Sequence, residues 1–230
     1  MHIIIAIPVY DGKLPIETTT CLFNELAAAN MCGDNLEVKF LSNCSHPAMG
    51  RNQLAQEFMD SDADRLIFLD SDVTCNVGDI LKLAHTPVDF VGGAYRYKIA
   101  EESYPVGWLE GKELWSDALG LIEVAALPGG FLSLSKNVFT KLKEAFPDRG
   151  YEHFGNKAHC YFQMLFTDGR LCGEDSYFCK EWRDIGGKVY LNPEVNLTHW
   201  DFNKPFKGHI GNWLKNRPQP TEVTCPQQEI

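Results

Sequence analysis

The chain lacks any apolar run near the roughly 20 residues that a membrane-spanning helix requires. Its longest runs, Ile3 to Val9 and Leu66 to Leu69, are strand-sized. The first residues, Met1 to Pro8, have neither a basic segment nor an extended apolar core, so they read as a buried strand and not as a secretion signal. The expectation is a soluble, cytoplasmic protein without a membrane anchor. The eight cysteines, at positions 21, 32, 44, 75, 160, 172, 179 and 225, include no C-x-x-C pair or other zinc-ligand spacing. That argues against a zinc ribbon and favours free buried thiols over a disulfide scaffold. Positive charge is also short: 21 Lys and Arg against 31 Asp and Glu leave a net charge of -10. Tight nonspecific binding of polyanions is therefore disfavoured. The one locally basic stretch holds Lys204, Lys207, Lys215 and Arg217. Internal repeats and linkers are missing as well. The 230 residues, 44% of them hydrophobic, read as one domain over residues 1–215 with a loose tail at 216–230.

What is present is an alternation of strand and helix patterns. Ile3 to Val9 is a continuous apolar run, as a strand buried on both faces requires. Pro15 opens a helix that carries Leu22, Leu26 and Ala29 on one face, and Leu36 to Leu41 follows as a second strand. Met49 to Met59 predicts a second helix, and Arg65 to Leu69 a third strand. This βαβαβ half is the frame of an α/β protein with a mixed, mostly parallel sheet. Beyond it the pattern predicts a short helix to His85, strands at Val88 to Val91 and Phe131 to Leu134, and a helix from Ser135, the expected N-cap, to Ala145. Phe146 to Cys172 reads as a long functional loop, followed by a helix from Glu174 to Ile185 and strands at Lys188 to Leu191 and Val195 to His199.

The third strand runs directly into Asp70-Ser71-Asp72. Ligands of open α/β sheets bind at the carboxyl ends of the strands, and two carboxylates two residues apart at such a bend can face one divalent ion. Oxygen ligands of this kind suit Mn²⁺ or Mg²⁺. His199, after a strand, is the candidate third ligand, with His209 next in line. A D-x-D turn alone is equally the pattern of a solvated bend, and a late histidine is often a hydrogen-bonded structural residue.

At these residues the sequence resembles the GT-A glycosyltransferases, family 2 in particular. Ile7-Pro8-Val9-Tyr10 resembles the strand that meets the donor base. Gly50-Arg51-Asn52-Gln53-Leu54-Ala55 is similar to the family's A-R-N-x-x-A helix start, and Phe68 to Asp72 to its metal motif. Leu127-Pro128-Gly129-Gly130-Phe131 is similar to the glycine turn beside the sugar, and Gly173 to Cys179 to its G-E-D-x-x-F segment. The resemblance implies a GT-A fold with a nucleotide-sugar half (1–95) and an acceptor half (96–215). It implies a hexosyltransferase that takes a nucleotide-diphosphate sugar, UDP-sugar first, with Mn²⁺ or Mg²⁺. Pro8, Tyr10, Arg51, Ser71, Gly129 and Gly130 would hold the donor, and Asp70, Asp72 and His199 the metal and diphosphate. Asp175, beside Glu174, would be the general base of an inverting transfer. Both acids also suit a helix start on dipole grounds alone.

His199 with Lys204-Pro205 is also similar to the ending of retaining family 8 enzymes, which makes Lys204 and Lys207 candidate phosphate contacts and leaves stereochemistry open. The aromatics Trp108, Trp115, Tyr151, Phe154, Tyr161 and Phe162 are candidates for stacking on an acceptor or for the core. The acceptor itself stays open among a glycan, a protein and a modified nucleic-acid base, as does oligomeric state. Two other classes compete. A nucleotidyltransferase needs a Gly-rich basic loop that residues 10–15 do not supply. A non-catalytic nucleotide-sugar-binding module would have no need to keep Asp70, Asp72, Asp175 and His199 together.

Overall fold

The computed structural model describes residues 1–110, 117–153, 155–167 and 169–216. Trp115, Phe154, Arg217, Cys225 and the expected tail from residue 217 on lie outside the described residues, while Asn216 ends a helix. The apolar runs of the first third form β1 (His2–Val9), β2 (Asn35–Ser42) and β3 (Arg65–Leu69), joined by α1 (Ile16–Cys32) and α2 (Pro47–Asp60). β1 pairs in parallel with both of the others, Ile3 standing opposite Leu36 on one side and Arg65 on the other. Because side chains alternate along a strand, the single run Ile3 to Ile7 feeds two cores. Ile3, Ile5 and Ile7 pack with Leu22, Ala29 and Leu83 on the α1 face, while Ile4 and Ala6 pack with Leu54, Phe58 and Phe139 on the α2 face.

After β3 the chain forms β4 (Val73–Cys75), α3 (Asp79–Ala84), β5 (Phe90–Gly92), β6 (Ile122–Val124), β7 (Phe131–Ser135) and α4 (Lys136–Ala145). The sheet order is β2-β1-β3-β7-β5-β12-β6, where β12 (Val189–Leu191) follows α5 (Glu174–Asp184). β7 and β6 run antiparallel to their neighbours, and the other five strands share one direction, as expected of a mixed, mostly parallel α/β sheet. Arg65 stabilises the start of this second half. Its buried guanidinium donates to the carbonyls of Ala84, Thr86 and Asp89, which fixes the end of α3 and the approach to β5.

Three expectations change. The stretch from Phe146 to Cys172 is not one long loop. A 3₁₀ turn (Pro147–Arg149) leads into two ribbons, β8 (Gly150–His153) with β9 (Asn156–His159) and β10 (Leu165–Thr167) with β11 (Arg170–Cys172). Ser135 stands at the N-cap of α4, but its hydroxyl donates to Asp89 and makes no cap bond. Beyond Leu191, β13 (Leu197–Asp201) is joined by β14 (Lys204–Lys207) and followed by α6 (Ile210–Asn216). β13 lies between β14 and β4, so a second, three-stranded sheet hangs on the strand that leaves Asp70-Ser71-Asp72.

Candidate functional site

The bend after β3 is fixed by backbone contacts from three sides. The Asp70 amide donates to Gly130 O at 3.0 Å, and the Val73 amide to Asp70 O at 3.0 Å. The Trp200 amide donates to Asp72 O at 2.8 Å, and the Thr18 hydroxyl to Ser71 O at 2.7 Å. Since β7 runs antiparallel to β3, with Phe131 opposite Leu69, the Gly129-Gly130 turn reaches the same sheet end as the carboxylates. Gly130 has no room for a side chain and Gly129 has little. A Cβ on Gly130 would stand 2.7 Å from Asp70 Cγ and 2.8 Å from Tyr95 Oη, and one on Gly129 would stand 3.0 Å from the Arg51 guanidinium.

Arg51, from α2, is 4% exposed and donates through Nη2 to Asp70 Oδ1 at 2.9 Å. Its Nε is 3.7 Å from Glu174 Oε1. Burial works against the charge, yet Asp70 and Glu174 outweigh it and raise the Arg51 pKa further. Nε and Nη1 have no hydrogen-bond partner. The Tyr95 hydroxyl donates to Asp70 Oδ2 at 3.4 Å, so both Asp70 oxygens are engaged.

Asp72 has different company. Lys98 Nζ donates to its Oδ2 at 2.6 Å, and His199 Nε2 lies 3.5 Å from the same oxygen. Burial alone would raise the Asp72 carboxyl, but hydrogen bonds from His199 and Lys98 override it and hold the group at about 2. His199 Nδ1 is 3.0 Å from the Arg96 carbonyl, an acceptor only, so Nδ1 carries a proton and donates there. Asp72 Oδ2 thus faces both the His199 ring and the Lys98 ammonium, and the ammonium supplies positive charge there.

Among the described residues no group of three or more His, Cys, Asp and Glu side chains is arranged to hold a metal ion. The expected trio thus divides into Asp72 with His199, and Asp70 with Arg51. A pair of protein ligands still fits Mg²⁺ or Mn²⁺, which are commonly held by one or two carboxylates with waters and substrate phosphates completing the shell.

Asp175, in the first turn of α5, accepts from the Gly129 amide at 3.2 Å and the Ser176 amide at 2.6 Å. Burial raises the Glu174 carboxyl, with Arg51 opposing. A cavity of about 380 Å³ is lined by Pro8, Tyr10, Arg51, Asp70, Ser71, Asp72, Tyr95, Gly129, Glu174 and Asp175. Tyr10 is 72% exposed at its rim. A second cavity of about 410 Å³ shares Cys44 and Ser45 with the first and includes Tyr151, His153 and Asn156 of the β8–β9 ribbon.

Lys204 and Lys207 lie on β14, away from the lining. Lys204 stands over the Phe206 ring at 4.7 Å, and the Lys207 carbonyl accepts from Arg96. His209 accepts from the Asn212 amide near the start of α6. Tyr161 and Phe162 are core residues, and Trp108 packs against that core. Of the stacking candidates described, Tyr151 alone lines either cavity. Sequence reasoning missed Lys98, Tyr95 and Thr18. A run of alternating Tyr and basic residues, Tyr95-Arg96-Tyr97-Lys98, was the one available signal.

No protein-family description matches the chain, nor does any curated protein. Solved structures similar to it include A197 from STIV, 20% identical with 90% of each chain covered and a TM-score of 0.60. That likeness shows a shared fold. Others are the catalytic domain of Drosophila β1,4-galactosyltransferase 7 in complex with xylobiose (14% identical, 97% of this chain and 76% of that one, TM-score 0.49) and GalNAc-T7 with UDP, GalNAc and Mn²⁺ (12% identical, 88% and 44%, TM-score 0.48). No helix among the described residues is long and apolar enough to cross a membrane.

Proposed function

We propose that the chain is a metal-dependent glycosyltransferase that moves a sugar from a nucleotide-diphosphate sugar, a UDP-sugar first, to an acceptor hydroxyl with inversion. The observation that carries the reading is the convergence of Asp72, Arg51 with Asp70, and Asp175 on one cavity at the carboxyl end of β3, with His199 outside the lining at 3.5 Å from Asp72 Oδ2. The family resemblance of the same segments supports it independently.

Pro8 and Tyr10 offer an apolar floor and an exposed ring for the nucleobase. Asp72 and His199 would hold Mn²⁺ or Mg²⁺, which when bound neutralises charge on the leaving diphosphate. Lys98, beside them, adds a second positive group toward the phosphates. Arg51 keeps the Asp70 carboxylate in place, and the Gly129-Gly130 backbone lets the sugar approach without a side chain between. Asp175 accepts the proton of the acceptor hydroxyl as its oxygen bonds to the anomeric carbon. The bond from that carbon to the phosphate oxygen breaks, and the nucleoside diphosphate leaves with the electron pair.

The test is incubation of the purified chain with UDP-, GDP- and dTDP-sugars, with Mn²⁺ or with EDTA, reading nucleotide release and thermal shift. Release or stabilisation by one donor in Mn²⁺ but not in EDTA is expected. Silence toward every donor in both conditions overturns the reading.

A further inference from the structure

Behind the carboxylate bend, away from the cavity, two thiols nearly touch. Cys21 of α1 and Cys75 of β4 are 54 positions apart in sequence, and their sulfurs stand 3.5 Å apart. The Cys75 amide also points at Cys21 Sγ, at 3.4 Å. Glu25, fully buried one turn along α1, accepts from the Gly78 amide at 2.7 Å and lies 3.7 Å from Cys75 Sγ through the same oxygen. Its other oxygen has no hydrogen-bond partner. Two sulfurs and a buried carboxylate invite comparison with a metal site, but no three-ligand cluster exists among the described residues. Two facing thiols with a buried base are instead the parts of a redox pair.

We infer that Cys21 and Cys75 are a disulfide-forming pair that locks α1 to the strand leaving Asp70-Ser71-Asp72. A disulfide needs its sulfurs at about 2.05 Å, so an approach of about 1.5 Å closes the bond. The oxidant is a low-molecular-weight disulfide. The Cys21 thiolate attacks one of its sulfurs and expels one small thiol, leaving a mixed disulfide. Cys75, passing its proton through Glu25 to the departing sulfur, then attacks Cys21 Sγ and expels the second small thiol. Two protein S–H bonds are lost and one S–S bond forms. The two electrons and two protons end on the two small thiols. Hydrogen bonds from Cys75 lower the Cys21 pKa despite its burial, which suits it to the first attack.

The bond would act on the site through short connections. Thr18, less than one turn before Cys21, holds the Ser71 carbonyl, and Cys75 pairs with Leu197 in the strand that carries His199. The lock does not depend on the proposed activity.

The test uses the full chain held in oxidised glutathione or in dithiothreitol, then denatured, alkylated and mapped by mass spectrometry. The oxidised sample is expected to yield a Cys21–Cys75 linked peptide. Its Tm should exceed that of the reduced sample by roughly 8 °C, from closure of a long loop. Cys21→Ser and Cys75→Ser should each abolish the Tm difference while matching the reduced wild type. Recovery of Cys21 and Cys75 as alkylated thiols, as separate glutathione adducts or in links to other cysteines overturns the inference. The wild-type map decides even where a variant folds poorly.

Discussion

Replacing Gly130 by alanine adds one methyl group at the point where the site has no space. The new Cβ would stand 2.7 Å from Asp70 Cγ, where carbon contacts normally begin near 3.5 Å, so the carboxylate must move by about 1 Å. It cannot move freely, because Arg51 holds Oδ1 at 2.9 Å and Tyr95 Oη occupies the other side, itself 2.8 Å from the added carbon. The displacement stretches an ion pair whose arginine side chain is 5% exposed. Overpacking of this kind costs about 2 kcal/mol. For a chain of this size the Tm should fall by roughly 4–8 °C. Misplacing a positioned group by about 1 Å typically lowers turnover by roughly 100-fold. The assay pairs a thermal melt with Mn²⁺-dependent nucleotide release, and Gly150→Ala is the control, since a Cβ there meets nothing within 4 Å. If Gly130→Ala melts and turns over like Gly150→Ala, the steric argument for the glycine pair is wrong.

Asp72→Asn should lose at least about 100-fold of Mn²⁺-dependent nucleotide release; unchanged release would remove Asp72 from the metal site. Lys98→Ala should tighten Mn²⁺ binding to the nucleotide-free chain several-fold in calorimetry, because the ammonium on Asp72 Oδ2 no longer competes; weaker or equal binding refutes that competition. Asp175→Asn is expected to retain donor-induced thermal stabilisation while transfer is lost, and an unchanged kcat would end its assignment as base. Burial, opposed by the Gly78 amide, raises Glu25 to about 7 from 4.5. Its contribution to stability is therefore full below about pH 4.5 and is lost as pH rises through 7. Glu25→Gln should raise Tm relative to wild type more at pH 8 than at pH 5, and an equal difference at both pH values would contradict it.

The half of the fold that sequence reveals is the half whose residues are apolar in order. β1 and β3 announce themselves as continuous buried apolar runs and β2 by Leu36, Val38 and Leu41, half-buried against the cores, and Arg65 to Leu69 is predicted with its observed bounds. The two ribbons between Gly150 and Cys172 bury little, so a residue run such as Gly-Tyr-Glu-His carries no strand alternation to read. The turn joining β13 to β14 escapes for another reason. Phe202 adopts φ 50° there, in a position that a sequence reader assigns to glycine or asparagine. At the site, Asp70 and Asp72 stand out from their place after β3 and Arg51 and Asp175 from the family resemblance, while His199, expected after a strand, stands inside β13. Lys98 was not legible, because its partner is 26 residues earlier and the contact exists only once β13 and the segment after β5 have closed on the bend.

The sheet order has a consequence for how the protein can be cut. β3 is buried along its whole length, yet one of its two neighbours, β7, arrives more than 60 residues later, and β12 must slot in between β5 and β6 later still. A fragment ending near residue 95 would keep the carboxylates and the arginine but leave the β3 margin with unpaired amides and carbonyls beside Leu66, Ile67 and Phe68. Such an open apolar margin is a template for pairing with another copy. Ribosome-bound chains pass through that same state, so self-association is a hazard that lasts until Phe131–Ser135 emerges and covers the strand.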